Sequence, residues 1–205
     1  LLVDPWWTSA LWALEGAAMI WVNTRQHNVI SRMLGAILQG AAGWLLMVEW
    51  ARYGDMRDAA LPFLNMLYLG SVILALSSMV SGWLLLTIRD RLHALEKTLW
   101  IPGLLAVWGM IWWFVGGYAE IDAHFSSDTL PYVLLFTAVS CMIMETIAVT
   151  WRYDLLRVPV AFLLPLILLV SLGDNGASLF PIYLTLLNVL DAVQVMGLVI
   201  MAVSY

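Results

Sequence analysis

Ionisable and amide side chains inside long apolar runs are where this chain could do chemistry. Glu15 stands in Trp12-Ala13-Leu14-Glu15-Gly16, and Glu145 lies one turn after Cys141 in a second run. A third run carries Thr185, Asn188, Asp191 and Gln194 as a polar arc, while Gln39 and Asn65 are single amides in two others. Charge at membrane depth is costly and marks proton relays, ion paths or polar helix contacts. Glu15 and Asp191 are therefore the first candidates for a path or an assembly contact, with Asn188 and Gln194 beside Asp191. Gln39 and Asn65 read as interhelical glue. Glu145 reads as a group near the interface, reaching toward Arg152.

A second grouping is Glu120, Asp122 and His124, close in sequence to Trp108, Trp112 and Trp113. A carboxylate–histidine trio beside an aromatic platform could serve a transferase acting on lipid-linked substrates, or hold a cation weakly. A solvated acidic loop is the plainer reading, and Trp rings near span ends read as an interfacial belt. The remaining histidines, His27 and His93, are scattered, and no His-x-x-x-His or multi-cysteine pattern at metal spacing occurs. No metal site and no cofactor is expected. Cys141, the single cysteine, reads as a small hydrophobe. No phosphate-binding glycine loop and no Gly-x-Ser-x-Gly elbow is present.

The elements that position these groups are membrane helices. Hydrophobic residues make up 63% of the 205, charged residues 11%, and mean hydropathy is +0.90. Soluble domains carry roughly 45–50% apolar and about 25% charged residues, so hydrocarbon is the solvent that suits this composition. The net charge of −5 argues against a nucleic-acid partner. The expected fold is an all-α bundle of about seven crossings: 6–22, 33–51, 61–88, 99–119, 130–150, 158–172 and 182–204. Pro62, Pro102, Pro131, Pro159 and Pro181 stand near helix starts. Pro165 should kink the sixth span or make it re-entrant. Gly173-Asp174-Asn175-Gly176 is turn chemistry.

Arg25 and Arg32, then Arg89, Arg91 and Lys97, then Arg152 and Arg157 fall in the odd-numbered loops. The fourth and sixth loops have only acids: Glu120, Asp122, Asp128 and Asp174. The positive-inside rule then puts Leu1 outside and Tyr205 in the cytoplasm. Small residues predict close helix contacts: Ser71, Ala75, Ser78 and Gly82 on span three, and Ala36, Gly40 and Gly43 on span two.

Some phrases resemble a known family. Trp12 to Ala18, then Leu34-Gly35 with Gln39-Gly40-Ala41-Ala42-Gly43, then Trp112-Trp113 with Gly116-Gly117, and finally Leu187-Asn188-Val189-Leu190-Asp191-Ala192-Val193-Gln194 carry the resemblance. The family comprises very large bacterial membrane proteins labelled only as predicted membrane proteins (domain-of-unknown-function family 2339). Val189 stands where that family's pattern has proline. The resemblance implies a bacterial inner-membrane protein and a chain that is one segment of a longer multi-span protein. It also places Glu15 and the stretch from Asn188 to Gln194 among recurrent polar positions, and implies no activity.

The functional expectation is a transport, channel or envelope-assembly component, or a scaffold within one. Its partners would be membrane lipids and other membrane helices of the same or another chain. The alternative is the lipid-linked transferase, with Glu120, Asp122 and His124 at its centre.

Overall fold

The computed structural model describes residues 5–26, 28–53, 61–98, 100–125, 129–159 and 161. Among these it is all-helical: α1 (Pro5–Gln26), α2 (Val29–Tyr53), α3 (Met66–Thr87), the short α4 (Ala94–Thr98), α5 (Ile101–His124) and α6 (Thr129–Trp151). Single 3-10 turns occupy Arg89–Arg91 and Asp154–Arg157. Four helical segments are long and apolar enough to cross a membrane: Val29–Arg52, Met66–Thr87, Ile101–His124 and Pro131–Trp151. The described residues are thus all-helical and have the helices of a membrane protein, with four such spans among them against seven expected over the whole chain. Most of the sixth expected span and all of the seventh lie outside the described residues. The first expected span forms α1, 22 residues long, but its polar Trp-rich start and Glu15 leave it less apolar than those four.

The chain divides into two compact units, Leu1–Ser126 and Ser127–Tyr205. In the first, α1 pairs with α2 and with α3, and α3 pairs with α5, whereas α2 and α5 barely meet. The hairpin of α1 and α2 crosses at two glycines. A Cβ on Gly16 would lie 2.7 Å from the carbonyl oxygen of Gly35, and one on Gly35 would lie 2.7 Å from that of Gly16. Only residues without a side chain permit such an approach, in which dispersion and weak Cα–H···O contacts replace a water-driven term. The antiparallel contact of α3 with α5 uses the same device. A Cβ on Gly109 would meet the Ala75 carbonyl at 2.6 Å, and one on Gly116 would meet Ser71 Cβ at 2.7 Å. Ser71, Ala75, Ser78 and Gly82 are all buried.

Span two departs from expectation. Gly40 is exposed, and a Cβ there would have no neighbour within 4 Å, so it makes no helix contact. Ala36 is half-buried against a cluster of Ile20, Leu85, Leu92 and Leu105. Gly43 is buried, but beneath tryptophan rings, and a Cβ placed there would collide with the Trp108 and Trp112 rings. The closely packed face of α2 runs instead through Arg32, Gly35, Gln39, Ala42 and Leu46. It was missed because a buried Gln and Arg interrupt the pattern of small residues.

Span three starts later than expected. Pro62 sits in a turn, Phe63 takes a left-handed φ of 62°, and the helix begins after Asn65, whose side-chain oxygen accepts from Tyr68 N at 2.8 Å. A proline without N–H and a left-handed residue cannot continue a helix backwards, and Asn is a strong N-cap. Asn65 is therefore a cap, not a mid-span amide. Trp100, with φ 48°, precedes α5, and Pro102 fills its first turn.

Candidate functional site

Three polar nodes pin the first unit together. At the basic end, Arg32 forms a two-pronged pair with Glu96: Nε to Oε1 at 2.7 Å and Nη2 to Oε2 at 2.8 Å. Arg32 is 2% exposed and Glu96 0%. The third guanidinium nitrogen, Nη1, donates to the carbonyl of Asn23 at 3.2 Å, in the open last turn of α1. Glu96 also accepts from the backbone N–H of His93 at 2.8 Å. This is the return half of a capping box, with His93 as the N-cap of α4 and Glu96 at its third position. One ion pair thus ties the ends of α1 and α2 to the α3–α5 connector. Burial pushes the Glu96 carboxyl up. The Arg32 and His93 hydrogen bonds and the positive charges of both residues outweigh it and hold the group below its ordinary value.

Near the middle of the bundle, Gln39 is fully buried between α1, α2 and α3. Its Nε2 donates to Ser81 Oγ at 2.8 Å and lies 3.4 Å from the carbonyls of both Ala13 and Ser77. Its Oε1 has no protein partner, and neither have the buried hydroxyls of Ser9 and Ser78. Trp108 Nε1 donates to the Gln39 carbonyl at 3.3 Å, closing the contact from the α5 side.

At the opposite end, Glu120 is 1% exposed. It accepts from Asn65 Nδ2 on both oxygens at 2.7 Å, and its Oε1 accepts from the Phe63 N–H at 2.8 Å. His124 Nδ1 stands 3.4 Å from the same oxygen. The expected loop trio is corrected here. α5 runs through His124, so helical spacing turns Glu120 inward with His124 one turn on, while Asp122 is exposed and does not join them. Glu120 acts as the acceptor that holds the start of α3. The aromatic platform is corrected too. Trp112 is 6% exposed and stacks edge-on to Trp50 and Trp108 at 6.1 and 5.9 Å, so these rings fill core space.

The other expected groups are dispersed. Glu15 is exposed on α1, beside exposed Leu11, Leu14 and Trp21. Within the second unit, Glu145 Oε1 lies 3.2 Å from Arg157 Nε, so its cation is Arg157 and not Arg152. Asn188, Asp191 and Gln194 lie outside the described residues. Sequence reading missed Arg32 and Glu96, counting one as a loop charge and passing over the other. The spacing from His93 to Glu96 was the available signal. It also missed Glu49, which is buried on α2 with Oε2 unbonded. No cluster of three His, Cys, Asp or Glu able to hold a metal is found among the described residues. The nodes offer hydrogen bonds and charge neutralisation between helices, with no nucleophile presented to a substrate. No family model, no curated protein and no solved structure matches the chain.

Proposed function

We propose that the chain is an assembly component of a membrane complex of the transport, channel or envelope-assembly kind, joined to another membrane helix through the outer face of α1. Glu15 carries this reading. It is exposed in the middle of a helix whose opposite face, Ala13, Gly16 and Ile20, is buried in the bundle. α1 lies alongside both α2 and α3, so Glu15 sits at the depth of their apolar middles. A carboxyl facing hydrocarbon there costs on the order of 2.5–3.5 kcal/mol on insertion scales. Arg32, Glu96 and Glu120 find their partners inside the unit, and Gln39 turns inward with its Nε2 bonded there, whereas Glu15 points away from it. A polar helix docked on this face supplies the missing donor, and Leu11, Leu14 and Trp21 supply its apolar contact.

Placement of the basic ends in the cytoplasm belongs to the same proposal and rests on the charge asymmetry of the loops. A bacterial inner-membrane setting and kinship with the large-protein family belong to it too, and rest on the sequence resemblance alone. The test is crosslinking in native membranes from a cysteine placed at Leu14 or Ala18. A crosslinked product is expected in the parent and in Glu15→Gln, and its loss in Glu15→Leu with the melting temperature unchanged. Crosslinking that persists in Glu15→Leu refutes the assembly role.

A further inference from the structure

Buried polar groups of the first unit are paired toward the basic end and, around the Glu120 node aside, left unpaired through much of the other half. On the basic side Arg32 holds Glu96 and the Asn23 carbonyl, and the Asn23 amide donates to the Met19 carbonyl at 2.7 Å. From mid-depth toward the Glu120 end, Gln39 Oε1, Ser78 Oγ, Ser9 Oγ, Trp112 Nε1 and Glu49 Oε2 are buried with no hydrogen-bond partner among the described residues. An unpaired buried polar atom costs about 1–3 kcal/mol, so several in one region call for an occupant. We infer that water enters the bundle from the Glu120 end and is held on these groups as far as Gln39, a one-sided aqueous path that stops at mid-depth.

Helix register places the groups. Gln39 reaches Ala13 on α1 and Ser77 and Ser81 on α3, and Ser78 follows Ser77 in the same turn. Ser9 stands one turn before Ala13 on α1. The Trp112 indole nitrogen lies against Gly43, one turn beyond Gln39 on α2. Glu49 closes the series near the end of α2, ten residues from Gln39, or about 15 Å at 1.5 Å per residue. That is half of a hydrocarbon core about 30 Å thick. Ser78 differs from its neighbours in a way that points to a ligand. Ser71, Ser77 and Ser81 of the same helix donate to carbonyls a turn back at 2.9, 3.0 and 2.7 Å, the ordinary recourse of a serine in an apolar helix. Ser78 is fully buried and does not.

Chemistry selects the occupant. Gln39 Oε1 and Glu49 Oε2 accept, the Trp112 N–H donates, and the two serine hydroxyls do both. A bare cation would face the Trp112 N–H and the Gln39 amide protons. An anion would face the oxygens of Gln39 and Glu49, and an apolar ligand would satisfy none of the groups. Water both gives and takes, and an interior water makes about three such bonds. Ala13, Gly16, Ser77, Ser78 and Ser81, the residues around the Gln39 side chain, are all small, which suits a ligand of that size. Beyond Gln39 the bundle is sealed. Gly16 and Gly35 bring their backbones together, and Ile20, Leu85, Leu92 and Leu105 form an apolar cluster before Arg32 is reached.

Water-edited solid-state NMR, in which magnetisation passes from water protons to the labelled full chain in lipid bilayers, tests this directly. Transfer is expected at the Gln39 amide, the Ser9 and Ser78 side chains and the Trp112 indole. It should be severalfold faster at Gln39 and Ser78 than at Ile20 and Leu85, which are just as buried. Gln39 and Ser78 as dark as Ile20 and Leu85 would overturn the inference. Equal transfer at all four would overturn it too, because the path would then cross the whole bundle. Glu49→Leu, at the mouth, should cut the transfer to Gln39 severalfold with the melting temperature unchanged or higher. Transfer retained in that variant overturns the path and leaves a trapped water. The measurement on the parent decides the matter even where Glu49→Leu fails to fold, and none of these readouts involves Glu15.

Discussion

Replacing Glu96 by Gln keeps the size of the side chain and removes its charge, leaving the Arg32 guanidinium buried without a counter-ion. Arg32 and Glu96 are 2% and 0% exposed and joined at 2.7 and 2.8 Å. Breaking one partner of such a pair costs about 3–5 kcal/mol, mostly from the stranded charge. At ~2–4 °C per kcal/mol for a domain of this size, the melting temperature should fall by about 6–20 °C. Arg32→Met should cost a similar amount near neutral pH and also free the Asn23 carbonyl that Arg32 now caps. The double change Arg32→Met with Glu96→Leu removes both charges together and should recover most of the loss, because apolar replacement of a buried pair is often neutral or better. The pH dependence has a definite sign. The folded Glu96 carboxyl is held below its ordinary value. The stability it contributes is complete above the unfolded carboxyl pKa of about 4.3 and is lost as pH falls through the lower folded value. The gap between parent and Glu96→Gln should therefore be flat from about pH 8 to pH 5 and close only in stronger acid. Thermal melts in detergent across pH, read by tryptophan fluorescence, measure all of this. A double variant as unstable as the two single losses added together would refute the reasoning, since it would show two independent contacts. So would a Glu96→Gln melt within about 0.5 kcal/mol of the parent.

Gly16→Ala forces a Cβ to 2.7 Å from the Gly35 carbonyl and should cost about 1–3 kcal/mol, lowering the melting temperature, whereas Gly40→Ala should leave it unchanged. Glu120→Leu strands the donors of Asn65 and Phe63, at about 1–3 kcal/mol for each buried group. Faster hydrogen exchange at the Phe63 and Tyr68 amides, with α1 unaffected, would report it. Gln39→Leu loses one good bond but also an oxygen that has no protein partner; interhelical bonds in membranes average ~0.6 kcal/mol, so a melt more than about 2 kcal/mol lower would contradict the glue role. Tyr153 is 1% exposed with its hydroxyl unbonded, and burial pushes its phenol above the ordinary value. Tyr153→Phe should accordingly be neutral or raise stability by up to ~1 kcal/mol, and a clear loss in the same melts would reveal a partner for the hydroxyl.

Composition and hydrophobic run length decided that the chain is helical and built for a membrane, because an apolar segment of about 20 residues has few other stable solutions. The positions of α2, α3, α5 and α6 follow the apolar runs to within a few residues, except where Asn65 and Pro62 delay α3. The small residues of α3 announced a close contact, but not that α5 carries Gly109 and Gly116 as its counterparts. Pairing between distant segments was not legible. Nothing in the run around Arg32 says that its partner is Glu96, 64 residues away. Nothing in the sequence separates Gly40, which faces open space, from Gly43, which lies under Trp108. Polar groups at membrane depth were visible as a class. Whether each turns inward, as Gln39 and Glu120 do, or outward, as Glu15 does, depends on helix rotation. That rotation is set by the packing of all neighbours together. A local pattern fixes the period of a helix, and only the assembled bundle fixes which way each face points.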